Sequence, residues 1–121
     1  MKNMFELIEK KSKFYGYVYS VENLEQVEKY IALLKKEHKK CTHICYAFNI
    51  KSPVNLAKAV DDGEPSGTAG KPIYNVIDKK GLSNILVVVV RYFGGVKLGA
   101  GGLVRAYTKC ASNAVEKYLC K

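Results

Sequence analysis

The spacing of apolar residues changes several times along the chain, and each change marks a predicted element. Residues 5–9 and 13–20 alternate, with Phe14, Gly16 and Val18 on one side and Tyr15, Tyr17 and Tyr19 on the other. A period of two in aromatic and β-branched residues predicts two strands, or one bent strand. Leu24, Val27, Ile31 and Leu34 then recur at helical spacing. Ser20 is placed to cap this helix, Glu22 and Glu25 suit its positive end, and Lys35, Lys36, His38, Lys39 and Lys40 load its last turns. Residues 42–50 alternate again. Ile44, Tyr46, Phe48 and Ile50 are assigned to the core, and His43, Cys45, Ala47 and Asn49 to the opposite face.

Residues 52–71 show no usable period and contain Pro53, Gly63, Pro65, Gly67 and Gly70. This predicts a long functional or mobile loop, with residues 52–70 the most mobile part of the domain. Pro72 opens a short helix over Ile73, Val76 and Ile77 that Gly81 ends. Residues 84–93 form the most apolar strand, predicted central to the sheet. A second glycine-rich loop spans 94–102. A long final helix turns Leu103, Tyr107, Cys110, Ala111, Ala114 and Tyr118 inward. Without repeats or a linker, the order predicts one α+β domain.

Composition narrows the class. The 121 residues are 48% hydrophobic and 11% aromatic, enough for one modest core and too much for wholesale disorder. Residues 85–90, the longest apolar stretch, fall far short of the roughly 20 residues that span a bilayer. Residues 1–13 lack the apolar segment and cleavage site of a secretory signal. A soluble, cytoplasmic protein without a membrane partner is expected. Cys41, Cys45, Cys110 and Cys120 lack the setting of a disulfide scaffold and read as reduced thiols. The formal charge of +9 is almost all lysine, since Arg91 and Arg105 are the only arginines. Such charge attracts nucleic acid or an acidic protein without specifying either, and equally suits a solvated surface.

Two segments carry candidate chemistry. Asp61, Asp62 and Glu64 crowd three carboxylates together, which a metal, lysines or water in an open loop would neutralise. Ser66, Gly67, Thr68 and Lys71 follow, where backbone N–H groups can turn toward a ligand. The alternative is a solvated acidic turn before the Pro72 helix. In the second segment Arg91 precedes Gly94, Gly95, Lys97, Gly99, Gly101 and Gly102, with Arg105 beyond. A glycine loop entering a helix gathers free N–H groups and the positive dipole end, as in phosphate and carboxylate sites. The alternative is a tight turn with close helix–sheet packing. Cys41, His43 and Cys45 alternate on one strand face, about 6.6 Å apart, too far for one tetrahedral ion. A Cys45 nucleophile with His43 as base meets the same difficulty. His43 and Asn49 are instead assigned to a polar cleft beside the 61–72 segment. No cofactor and no metal are predicted.

These runs also carry a family resemblance. Ser12-Lys13-Phe14, His38, Thr42-His43, Cys45-Tyr46-Ala47, the whole of 61–73 and the whole of 91–107 resemble the IMPACT family, known in bacteria as YigZ-like proteins. Lys13, Val60 and Val90 depart from the arginine, serine and threonine common there. The resemblance implies an α+β two-layer sandwich similar to domain 2 of ribosomal protein S5, with a mixed sheet and helices packed on one face. It also implies that a C-terminal elongation-factor-like domain is missing, so that residues 1–121 correspond to the N-terminal domain. Eukaryotic relatives act in translational control, and no reaction is established for the family. The leading expectation is a translation-associated binding module contacting RNA or a ribosome-linked protein through basic and glycine-rich surface. An enzyme acting on a phosphorylated or nucleotide-like ligand and a purely protein-interacting regulator are the alternatives. In either event, the two segments are expected to form one site, with the acidic pair facing a backbone nest and Lys97.

Overall fold

The computed structural model describes residues 4–51 and 54–120. In chain order it runs β1 (Met4–Glu9), β2 (Ser12–Ser20), α1 (Leu24–Glu37), β3 (His43–Ile50), β4 (Leu56–Val60), α2 (Gly70–Lys79), β5 (Ile85–Tyr92) and α3 (Gly99–Leu119). The strands form a five-stranded sheet in the order β1-β2-β5-β3-β4. Every neighbouring pair is antiparallel, so the mixed sheet implied by the family resemblance is not formed. β2 and β3 do run parallel, as their crossover through α1 requires. β5 returns through α2 and inserts between them, and no parallel strands touch.

The helices do not share one face. Ile85, Val87 and Val89 of β5 join Cys45 and Ala47 of β3 in a core with α2 and α3. Leu86, Val88 and Val90 join Ile44, Phe48 and Ile50 in a second core with Val27, Ile31 and Leu34 of α1. Three layers result, not two. A strand buried on both sides needs apolar residues at consecutive positions, which is the pattern of β5. The β3 face assigned away from the core is therefore core too, its small Cys45 and Ala47 covered chiefly by α2, while α3 lies close over β2. A Cβ added to Gly16 in β2 would stand 2.9 Å from the Ala114 Cβ of α3.

β4 lies within the predicted loop, pairing residues 56–60 with 46–50 of β3. As an exposed edge strand with two alanines, it lacked a hydrophobic signature. Ser52 and Pro53 lie outside the described residues, as does that part of the mobility expectation. Asn23, not Ser20, caps α1: its side-chain oxygen accepts from the Gln26 N–H at 2.8 Å, while Ser20 ends β2 opposite Ile85. Leu24 is 43% exposed rather than part of the core stripe. α2 starts two residues before Pro72 and ends at Lys79, and Gly81 turns the chain just beyond it with a φ of 64°. α3 begins at Gly99, so the last predicted loop glycines form its first turn. No described helix is long and apolar enough to cross a membrane.

Candidate functional site

The ends of β1, β4 and β5, the starts of β2 and β3, and the N-termini of α2 and α3 meet at one pole of the molecule. The join is tight. A Cβ on Gly94 would collide with the Lys11 carbonyl in the β1–β2 turn, and the Gly94 N–H donates to Ser12 Oγ at 3.3 Å. The Thr42 N–H donates to the Arg91 carbonyl at 2.8 Å, and the Phe93 N–H to Thr42 Oγ1 at 2.9 Å. These contacts frame a cleft of about 420 Å³. Pro65, Phe93, Leu98 and Leu103 give it apolar walls, and His43, Glu64 and Arg91 form its polar side. Lys97, Gly99 and Ala100 bring the uncapped first turn of α3 to its edge.

Beneath the cleft lies a buried charge pair. Arg91 Nη1 donates to both oxygens of Glu64, at 3.0 and 2.8 Å, and their side chains are only 6% and 3% exposed. Two charges removed from water in this way depend on each other, because either alone would be strongly destabilising. The Tyr107 hydroxyl donates to Glu64 Oε2 at 2.5 Å, and Arg91 Nη2 to Ser12 Oγ at 3.3 Å. The guanidinium also lies between Phe14 and Phe93, 5.6 and 5.5 Å from their ring centres. Arg91 Nε has no hydrogen-bond partner among the described residues.

The Tyr107 hydroxyl and the Cys45 thiol are held protonated. Burial above all, with Cys45 and the Glu64 carboxylate adding to it, pushes the Tyr107 hydroxyl far above its ordinary value, so it remains a donor. Burial likewise raises the Cys45 thiol, which donates to the Asp61 carbonyl at 2.9 Å. A protonated, occupied thiol is not a nucleophile. His43 Nδ1 lies 2.7 Å from the Asp62 carbonyl, which only accepts, so Nδ1 carries a hydrogen and Nε2 faces Glu64 Oε1 at 3.6 Å.

The three neighbouring carboxylates do not form one acidic site. Asp61 accepts from the N–H groups of Gly67, Ala69 and Gly70 at 2.9, 3.1 and 2.8 Å, which caps α2 from the end of β4. Partial burial alone would raise its pKa. The bonds from Gly67, Gly70 and Ala69 outweigh that and hold it below the usual aspartate value. Asp62 adopts a left-handed φ of 47° and accepts from the Ile44 N–H at 2.7 Å, extending the β3–β4 ladder by a side chain. Thr68 donates to the Pro65 carbonyl at 2.6 Å, while Ser66 and Lys71 are exposed. The expectation that the acidic pair faces Lys97 is thus corrected. Asp61 and Asp62 serve the backbone, which has more unpaired N–H groups here than the loop could otherwise satisfy.

Of the sequence candidates, His43, Glu64, Arg91, Lys97 and Gly99 share the cleft. Gly102 and Arg105 line an adjoining cavity with Lys10, Leu98 and Lys109, and Gly101 lies under the Arg105 guanidinium. Gly94 and Gly95 stay in the preceding turn. A third cavity, reached past Phe93, is lined by Lys11, Lys13, Tyr15, His38 and Tyr92. There the His38 ring bridges the Tyr17 and Tyr92 hydroxyls, each at 2.7 Å. Ser12, Phe93 and Tyr107 were not selected as site residues. Tyr107 carried a signal, because a tyrosine on an inner helix face of alanine and cysteine needs a buried partner for its hydroxyl.

Residues 10–115 match the family described as the Impact N-terminal domain. The IMPACT family member YvyE of Bacillus subtilis is 44% identical over 111 residues, covering 92% of this chain and 51% of that protein. YigZ of Escherichia coli is 39% identical over 110 residues, covering 89% of this chain and 54% of that protein. A crystal structure described as that of a hypothetical protein superposes with a TM-score of 0.89 at 35% identity, covering 93% of this chain and 56% of that one. Yih1, described as a two-domain translational regulator, shares the fold with a TM-score of 0.62 at 23% identity, covering 94% of this chain and 48% of its own. The chain thus spans about half the length of the curated relatives it matches.

Proposed function

The chain belongs to the Impact N-terminal domain family, and from that premise we propose that it is a cytoplasmic, translation-associated module that grips single-stranded RNA at the pole where its two glycine-rich segments meet. The observation that carries this reading is the arrangement of three adjoining cavities, joined through Phe93 and Leu98. The cations outnumber the carboxylates: Lys97 beside the paired Arg91 and Glu64 in the first, Lys11 and Lys13 against Glu37 in the second, Lys10, Arg105 and Lys109 against Glu9 in the third. Phe93, 47% exposed, stands between two of them with Tyr15 and Tyr92 alongside. Cations that follow a phosphate backbone, interleaved with aromatic faces on which bases stack, are how proteins hold single strands. The N-termini of α2 and α3 point to the same pole, but Asp61 neutralises only the first. The translational setting comes from the family resemblance and from Yih1, whose likeness here is one of fold. The kinship with domain 2 of ribosomal protein S5 belongs to the same reading.

Fluorescence anisotropy with a labelled uridine decamer tests it. Binding should weaken steeply with salt, by a slope of about 0.7 per phosphate contacted. Replacing Lys11, Lys13 and Lys97 together by glutamate should abolish it. Lys79→Glu, at the far end of α2, should leave it unchanged. No binding, or equal harm from Lys79→Glu, would overturn the reading.

A further inference from the structure

The cleft beneath Phe93 is more specific than a basic surface requires. We infer that it receives a single unstacked nucleobase bearing an exocyclic amino group, an inference that rests on the RNA reading above. Its volume of about 420 Å³ lies within the range of small-molecule sites. Phe93 supplies a flat wall already backed by the Arg91 guanidinium, and Leu98, Leu103 and Pro65 close the other sides. Such apolar walls suit the faces of a planar ring.

The polar side decides which ring. Glu64 Oε2 already accepts from Arg91 and Tyr107. Oε1 accepts one short bond, from Arg91 at 3.0 Å, with His43 Nε2 farther off at 3.6 Å. A carboxylate oxygen has two lone-pair directions, so Oε1, on a residue that lines the cleft, keeps acceptor capacity. Its complement is an amino group, as on cytosine or adenine; the one N–H on uracil's pairing edge is flanked by two carbonyl oxygens that a carboxylate repels. Lys97 and the uncapped N–H groups of Gly99 and Ala100 lie at the edge, where the attached phosphate would rest.

The test compares a uridine decamer, the same decamer with one central cytidine, and an abasic ribose-phosphate decamer that reports backbone binding alone. The cytidine decamer should bind about tenfold tighter than the uridine one, the effect of one charge-assisted hydrogen bond at its lower limit. Ala100→Trp, which fills the edge from an exposed helix position, and Phe93→Ala should each bring that ratio close to one. Equal affinities in the native protein, or a ratio that survives Ala100→Trp, would overturn the inference while leaving RNA binding itself in place. If none of the decamers binds, the RNA reading fails and free cytidine monophosphate becomes the probe. Saturable binding abolished by Ala100→Trp would then uphold the base site, and absence of binding would end it.

Discussion

Residues 61–70 and 93–102 are both rich in glycine and meet at the same pole, yet their polar groups face in opposite directions. In the first, the Asp61 and Asp62 carboxylates, the Thr68 hydroxyl and the Glu64 carboxylate all bind groups within the domain. In the second, the N–H groups of Phe93 and Gly94 are bound, but the first turn of α3 has no side-chain cap, and Lys97 is exposed. Glycine serves a different physical end in each. Around Gly67 it lets the chain fold back until Asp61 reaches three N–H groups. At Gly94 it allows backbone to touch backbone. Apart from Glu64 and Pro65, which line the cleft, the first segment builds the pole, and the second presents it.

The sharpest test of this division is Glu64→Ala. It leaves Arg91 buried without its anion and should cost about 3–5 kcal/mol in urea unfolding. Lys97→Ala should shift stability by less than about 0.5 kcal/mol. Similar losses in the two variants would break the comparison. Asp61→Ala should cost about 2 kcal/mol, as the loss of a helix cap with partly buried donors. Because the folded-state pKa of Asp61 is lowered, its contribution is fully present above the unfolded aspartate value of about 3.9 and disappears as pH falls through the lower folded value. The gap in urea midpoint between native protein and Asp61→Asn should therefore be constant near neutrality and close in acid.

Hydrogen exchange gives a smaller contrast. The Gly67, Ala69 and Gly70 amides, bound to Asp61, should exchange at least about tenfold more slowly than those of Gly99 and Ala100. Equal rates would restore the mobile-loop expectation for residues 61–70. The least effect belongs to Ser66→Ala, at an exposed position. It should leave both stability and RNA affinity within about 0.5 kcal/mol. A clear loss of RNA binding there would mean that the first segment also presents a binding surface.

Much of the fold was legible because period reports burial directly. The continuous apolar run at 85–90 marked the central strand, and Val27, Ile31 and Leu34 marked the buried side of α1. Asn23 was overlooked as the cap of α1 because Ser20 also had a capping side chain, and only the end of β2 distinguishes them. β4 was missed because an edge strand with both faces near water needs no hydrophobic pattern. Of the site, Glu64, Arg91 and His43 were selected by residue type. Tyr107, Phe93 and Leu103 lie far from them or serve equally well as core, so periodicity could not tell their roles apart.

The sequence by itself determined the order of the elements other than β4, the α+β class, the basic charge and the two glycine-rich segments, since all follow from local period, composition and turn chemistry. Only the tertiary structure decided that helices cover both faces of an antiparallel sheet. A strand's pattern records that its faces are buried, but not which helix buries each one. The structure alone also separated the three acidic residues. Like charges adjacent in sequence are driven apart by whatever donors lie within reach, and those donors come from Ile44, Gly67, Ala69, Gly70, Arg91 and Tyr107. Which of them lies near which carboxylate is set by how the strands and helices close on one another, a long-range property that no local pattern carries.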